Sequence, residues 1–148
     1  PLKFITLHLF LRKRSEFDEP MDAIVYATLL SLGFATLENF EYVYSSDLEM
    51  SSLFIASIRA FSAIPLHACC GVVMGYYYGL YIFQGSKGLL LKSIFLPIII
   101  HSFYNYLCNF TYILLLFYIF VVALYARNLI RKQKNLQKLK GIEKEEKY

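Results

Sequence analysis

Long apolar runs, each closed off by charge, constrain this chain more than any other feature. Five blocks can be drawn: Pro1–Leu11, Met21–Tyr44, Ser51–Phe83, Leu89–Leu107 and Phe110–Ala126. A bilayer core of about 30 Å takes about 20 helical residues to cross. The second, third and fourth blocks are long enough and the fifth nearly so. The first is too short, reaching only about 17 Å at 1.5 Å per residue. The fold class expected is therefore all-α: a polytopic transmembrane helix bundle of four full spans plus a partial first helix. Composition agrees, since 57% of the residues are hydrophobic and mean hydropathy is +0.47, too apolar for an ordinary soluble domain.

Charge then orients the spans. Arg12–Arg14, Lys87 and the tail from Arg127 to Tyr148 are basic, whereas the Ser45–Ser52 loop holds acids and no Lys or Arg. Cytoplasmic loops collect Lys and Arg. The basic loops and tail are thus expected inside, and the acidic loop and the turn near Cys108–Asn109 outside. Alternating helices demand that same pattern. Residues 1–126 read as one membrane-embedded domain and 127–148 as a solvated, basic cytoplasmic tail, with no nucleic-acid partner expected. The first block starts on a proline, without Met, so the chain is expected to be a piece whose first helix lacks its outer half.

Polar residues inside apolar spans carry the chemical information. Ionisable groups in a bilayer are costly and face the bundle interior or a wet cavity. Glu38 with Asn39, Arg59, His67, and His101 with Asn105 fall within the blocks. Along ideal helices His101 lies about 18 Å, His67 about 24 Å and Glu38 about 25 Å from the cytoplasmic side. Two histidines and a glutamate from three helices are thus at similar depth, more than packing alone calls for. His101 and Asn105, at i and i+4, share a helix face, and Pro97 sits one turn before them. Gly71, Gly75 and Gly79 form a stripe on which helices can approach closely, and His67 lies on the same stripe. Arg59 is expected to snorkel or to pair with Glu38. Asp22, at the start of its block, suits a helix N-terminus. Cys69, Cys70 and Cys108 make no metal or redox pattern and read as small apolar residues.

"FDEPMDAIVYATLLSLGFATLENFEYV", "RAFSAIPLHACCGVVMGYYYG" and "HSFYN" resemble the signature of the PrsW family of bacterial intramembrane proteases. The resemblance covers roughly residues 1–105. It implies an endopeptidase of the bacterial inner membrane that cleaves a membrane-anchored protein, an anti-sigma factor being one candidate. Glu38 and Asn39 match the family's EN pair, His67 its second-motif histidine, and His101 and Asn105 its last motif. Lys3 matches the lysine closing an E-E-x-x-K motif, whose two glutamates would immediately precede Pro1. As the catalytic base is expected from that pair, this piece alone is expected to be inactive.

The resemblance leaves two chemistries open. His67 and His101, with a carboxylate, can hold a zinc ion with a position open for water. The same set can act without metal, with His and Asn stabilising an oxyanion. Two other functions compete with the protease: a non-catalytic membrane scaffold, and a small transporter using the buried polar groups. A transporter should show an inverted repeat, and none is visible in the sequence.

Overall fold

The computed structural model describes residues 2–11, 19–44 and 52–145. It contains six helical segments, with no strand among the described residues: α1 (Leu2–Leu11), α2 (Pro20–Tyr44), α3 (Ser52–Phe61), α4 (Ala63–Gln84), α5 (Lys87–Leu107) and α6 (Tyr112–Glu145). Four stretches are long and apolar enough to cross a membrane: Pro20–Tyr44, Ala56–Gln84, Lys87–Leu107 and Tyr112–Lys138. The protein is an integral-membrane helix bundle with a short apolar first helix. Large side chains such as Leu29, Ile99, Ile113 and Phe117 face outward, where lipid replaces water as the solvent. The basic residues 12–14 and positions 45–51 of the acidic stretch lie outside the described residues.

Local chemistry sets the ends of the helices. Pro20 opens α2, where a missing N–H costs nothing. Asp22 Oδ2 accepts from the Glu19 N–H at 3.0 Å, capping that first turn. α4 ends at Gly85, which adopts φ 75° and donates its N–H to the Tyr81 carbonyl. That left-handed cap suits glycine, and with Ser86 it turns the chain directly into α5.

α4 is the central helix, with Leu66, His67, Val73 and Tyr78 fully enclosed. Its glycine stripe faces α2 in antiparallel register. A Cβ added at Gly71 would fall 2.6 Å from Thr28 Cα, one at Gly75 2.6 Å from Ile24 Cα, and one at Gly79 2.8 Å from the Pro20 carbonyl oxygen. Only glycine permits such backbone approach, and the approach replaces the hydrophobic driving force that lipid-embedded helices lack. One turn beyond Gly71, the Ser31 hydroxyl donates to the His67 carbonyl at 2.7 Å. This bond fixes the register at the level where the polar groups gather.

The third apolar block, expected as one helix, is two. The backbone breaks at Ser62, with φ −120° and ψ −65°. Pro65 explains the break: inside a continuous helix its ring would clash with the Phe61 carbonyl four residues back, whereas a first turn tolerates it. Tyr104 on α5 pins the break, its hydroxyl donating at 3.1 Å to the Ser62 hydroxyl, which itself donates to the Ile58 carbonyl. α6 also differs in extent from its apolar block. It continues as helix past Ala126 to Glu145, through a sequence rich in Lys, Gln and Leu, all good helix formers.

Candidate active site

Three helices each deliver one polar side chain to a common point. α4 supplies His67, held in register by Ser31. α5 supplies His101, one turn beyond Pro97, whose missing N–H leaves the Ser93 carbonyl without its usual helical partner. α2 supplies Glu38. The His67 Nε2 stands 2.8 Å from the His101 Nε2 and 3.4 Å from Glu38 Oε2. The two rings meet edge to face, with centroids 4.8 Å apart.

Two cations complete the cluster. Lys3 of α1 brings its Nζ within 3.0 Å of His67 Nδ1. With Lys3 as the ammonium, Nδ1 accepts and the ring proton of His67 is assigned to Nε2, facing His101 and Glu38. Arg59 of α3 donates from one terminal N–H to Glu38 Oε2 at 3.0 Å and from Nε to Asn39 Oδ1 at 2.9 Å. Its guanidinium also lies 3.8 Å from the Tyr42 ring centroid. Arg59 therefore anchors the carboxylate through the same oxygen that faces His67, and is fixed in turn by an amide and an aromatic face.

The cluster opens onto a cavity of about 310 Å³ lined by Lys3, Phe34, Glu38, Cys70, Pro97 and His101, among others. His67 lies behind this lining with 0% exposure. Of the residues singled out in the sequence, Glu38, His67 and His101 come together, with Arg59 paired to Glu38. Asn39 is engaged by Arg59 and stands one residue away from the trio. Asn105 is exposed, one turn further along α5. The seam that α5 turns to the core runs through Ser93, Pro97, Ile100 and Tyr104, and Asn105 lies to one side of it. Residue-by-residue reading did not find the Lys3 contact, and only the family resemblance drew attention to that residue. Its signal was the one lysine in a mostly apolar ten-residue helix that also carries Thr6 and His8.

The donor set suits a metal ion. One nitrogen from each histidine and one Glu38 oxygen lie within 4.8 Å of one another. Two imidazoles and a carboxylate are ligands of catalytic zinc sites, which keep a fourth position for water. Ligands bound at about 2.0–2.2 Å to one tetrahedral ion stand about 3.3–3.6 Å apart; the 3.4 Å His67–Glu38 spacing fits, whereas the two Nε2 atoms, at 2.8 Å, would have to move apart to admit an ion. An ion held by the two Nε2 atoms would move the His67 ring proton to Nδ1, where Lys3 would accept it as the neutral amine.

The sequence model of a family described as "PrsW family intramembrane metalloprotease" matches residues 2–127, further along the chain than residue 105. Among curated proteins, the chain is 31% identical over 147 residues to Protease PrsW of Clostridioides difficile (strain 630), covering 95% of this chain and 61% of that protein. It is 38% identical over 108 residues to Protease PrsW of Geobacillus kaustophilus (strain HTA426), covering 72% and 46%. It is 35% identical over 127 residues to Protease PrsW of Bacillus subtilis (strain 168), covering 81% and 56%. The chain thus spans about half to three-fifths of the length of these relatives. No solved structure matches it.

Proposed function

The chain belongs to the PrsW family of intramembrane metalloproteases, and from that premise we propose that the full-length protein hydrolyses a peptide bond of a membrane-anchored protein at the Glu38–His67–His101 cluster. The observation that carries the reading is the meeting of these three side chains from three helices at 2.8 Å and 3.4 Å. Burying so many polar groups in a span is costly unless they serve a purpose.

In this reading His67, His101 and Glu38 hold a zinc ion, which when bound would activate water and polarise the scissile carbonyl. The chain's own residues prepare the site. Ser31 fixes the rotation of α4 and hence the depth of His67. Arg59, braced by Asn39 and Tyr42, holds the Glu38 carboxylate on the cavity side. Asn105, one turn beyond His101 and outside the cavity lining, would meet the substrate backbone at the margin of the site. The proton released by the attacking water passes to a carboxylate and then to the leaving amine. The apolar walls of the cavity keep bulk water from the reacting groups.

The substrate proposed is an anti-sigma factor or another protein with a membrane anchor, reached within the bacterial inner membrane. Residues 1–126 form the membrane-embedded part, and the basic residues after Arg127 lie on the cytoplasmic side by the Lys/Arg asymmetry. The test is cleavage of a membrane-anchored anti-sigma factor by the full-length protein in vesicles, with and without a chelator. Chelator-sensitive cleavage is expected. Cleavage at full rate by protein stripped of metal would refute the metal assignment, and no cleavage of any anchored substrate would refute the protease.

A further inference from the structure

α4 presents different faces to two separate openings. Cys70 lines the candidate active-site cavity, whereas its neighbour Cys69 lines a second groove of about 410 Å³ between α4 and α6. The α4 wall of this groove is Ala68, Cys69 and Val72, all apolar. The α6 wall carries Arg127, Arg131 and Lys134. These cations are spaced i, i+4 and i+7, so they share one helix face. That face adjoins the buried stripe of Leu115, Ile119, Val122, Ala126 and Leu129, which holds α6 against the core. Among the described residues, none of the three cations has an acidic partner within ion-pair distance. All three side chains are exposed, so they are open to an anionic headgroup at the membrane surface.

We propose that the α4–α6 groove binds an anionic phospholipid, with its phosphate on Arg127, Arg131 and Lys134 and its acyl chain along Ala68, Cys69 and Val72. Charge complementarity selects an anion. The apolar wall selects one that carries a hydrocarbon chain over a free phosphate. The groove lies on the outside of a four-span bundle, where lipid is the surrounding solvent, and basic pockets between spanning helices suit lipid headgroups. The site is independent of the protease assignment, since it uses none of the residues of the histidine cluster.

The experiment takes the full-length protein in a neutral detergent, titrated with phosphatidylglycerol or phosphatidylcholine while bound lipid is counted by native mass spectrometry. Phosphatidylglycerol should bind at a discrete stoichiometry and raise the melting temperature, and phosphatidylcholine should not. Each cation near an anionic headgroup contributes about fivefold in affinity, so replacing Arg127, Arg131 and Lys134 together by Gln should weaken binding roughly a hundredfold. A control that removes equal charge from Lys87, Lys132 and Lys138, which lie outside the groove lining, should change it little. Ala123→Leu, which fills the groove without altering charge, should also abolish the discrete binding. Equal losses in the two triple variants would overturn the proposal in favour of general electrostatic attraction. Stabilisation by inorganic phosphate equal to that by phosphatidylglycerol would overturn it too, because the acyl chain would then play no part.

Discussion

The Nε2 atoms of His67 and His101 stand 2.8 Å apart, on two helices joined by only the Gly85–Ser86 turn. The contact lies far from that turn. It depends on α4 and α5 keeping their register over several helical turns, and α4 is itself locked to α2 through the glycine stripe and Ser31. Geometry at the histidines is therefore set by packing at a distance.

Metal binding should appear in stability as well as in activity. A ligand present at about 100 times its Kd stabilises the folded state by about 2.7 kcal/mol. The full-length protein should melt at a higher temperature with zinc than after chelation, and Glu38→Gln or His101→Ala should remove most of that difference. An unchanged zinc shift in both variants would place the metal elsewhere.

Glycine packing can be tested by a single methyl group. At Gly75 a Cβ would lie 2.6 Å from Ile24 Cα, a backbone atom with little room to move. Overpacking of this kind costs about 1–3 kcal/mol, so Gly75→Ala should lower the melting temperature in detergent. Gly33, with nothing within 4 Å of its would-be Cβ, should accept alanine without loss. Equal behaviour of the two variants would contradict the close α2–α4 approach.

Arg59 is expected to matter through Glu38. A hydrogen bond to a charged group contributes about 1.5–3 kcal/mol, and the partial exposure of Glu38, at 35% of its side chain, places this pair at the low end. Arg59→Gln should reduce cleavage about tenfold while the protein still inserts. Arg59→Lys should recover only part of that, because lysine cannot reach both Glu38 and Asn39 as a planar fork does. A double-mutant cycle with Glu38→Gln should show strong coupling, and simple additivity would separate the two residues.

Orientation follows from charge. A cysteine placed at Ser46 should react with an impermeant reagent from outside the cell, whereas one placed in the tail after Arg127 should not. The reverse labelling pattern would invert the topology.

Much of this arrangement is legible in the sequence because lipid imposes simple rules. Apolar blocks of about 20 residues read as spans, and all four are helical, the third as two segments. Ionisable residues in those blocks must find partners, so Glu38, His67 and His101 at similar depth point to one site, and Arg59 to a pairing with Glu38. The break at Ser62 was legible in principle, from Pro65 three residues later, but an unbroken apolar run hides it. The reach of α6 was obscured for the opposite reason. Its continuation is polar, yet Leu129 and Gln133 extend the buried stripe beyond the apolar block. Asn105 shares a face with His101 by spacing, but the α5 seam through Tyr104 leaves it at the margin. The Lys3–His67 contact joins residues 64 positions apart and depends on how α1 lies against α4, which local spacing does not encode.

The central claim is that His67 and His101 act in one catalytic site. Its most direct test is the rate at which the full-length protein in vesicles cleaves a membrane-anchored substrate, measured for wild type, His67→Ala, His101→Ala and the exposed-cysteine control Cys108→Ala. Loss of a positioned acid–base or electrostatic group lowers rates by about 10²–10⁴. Both histidine variants should fall in that range at normal protein levels, with Cys108→Ala unaffected. Wild-type cleavage by either histidine variant would contradict the account.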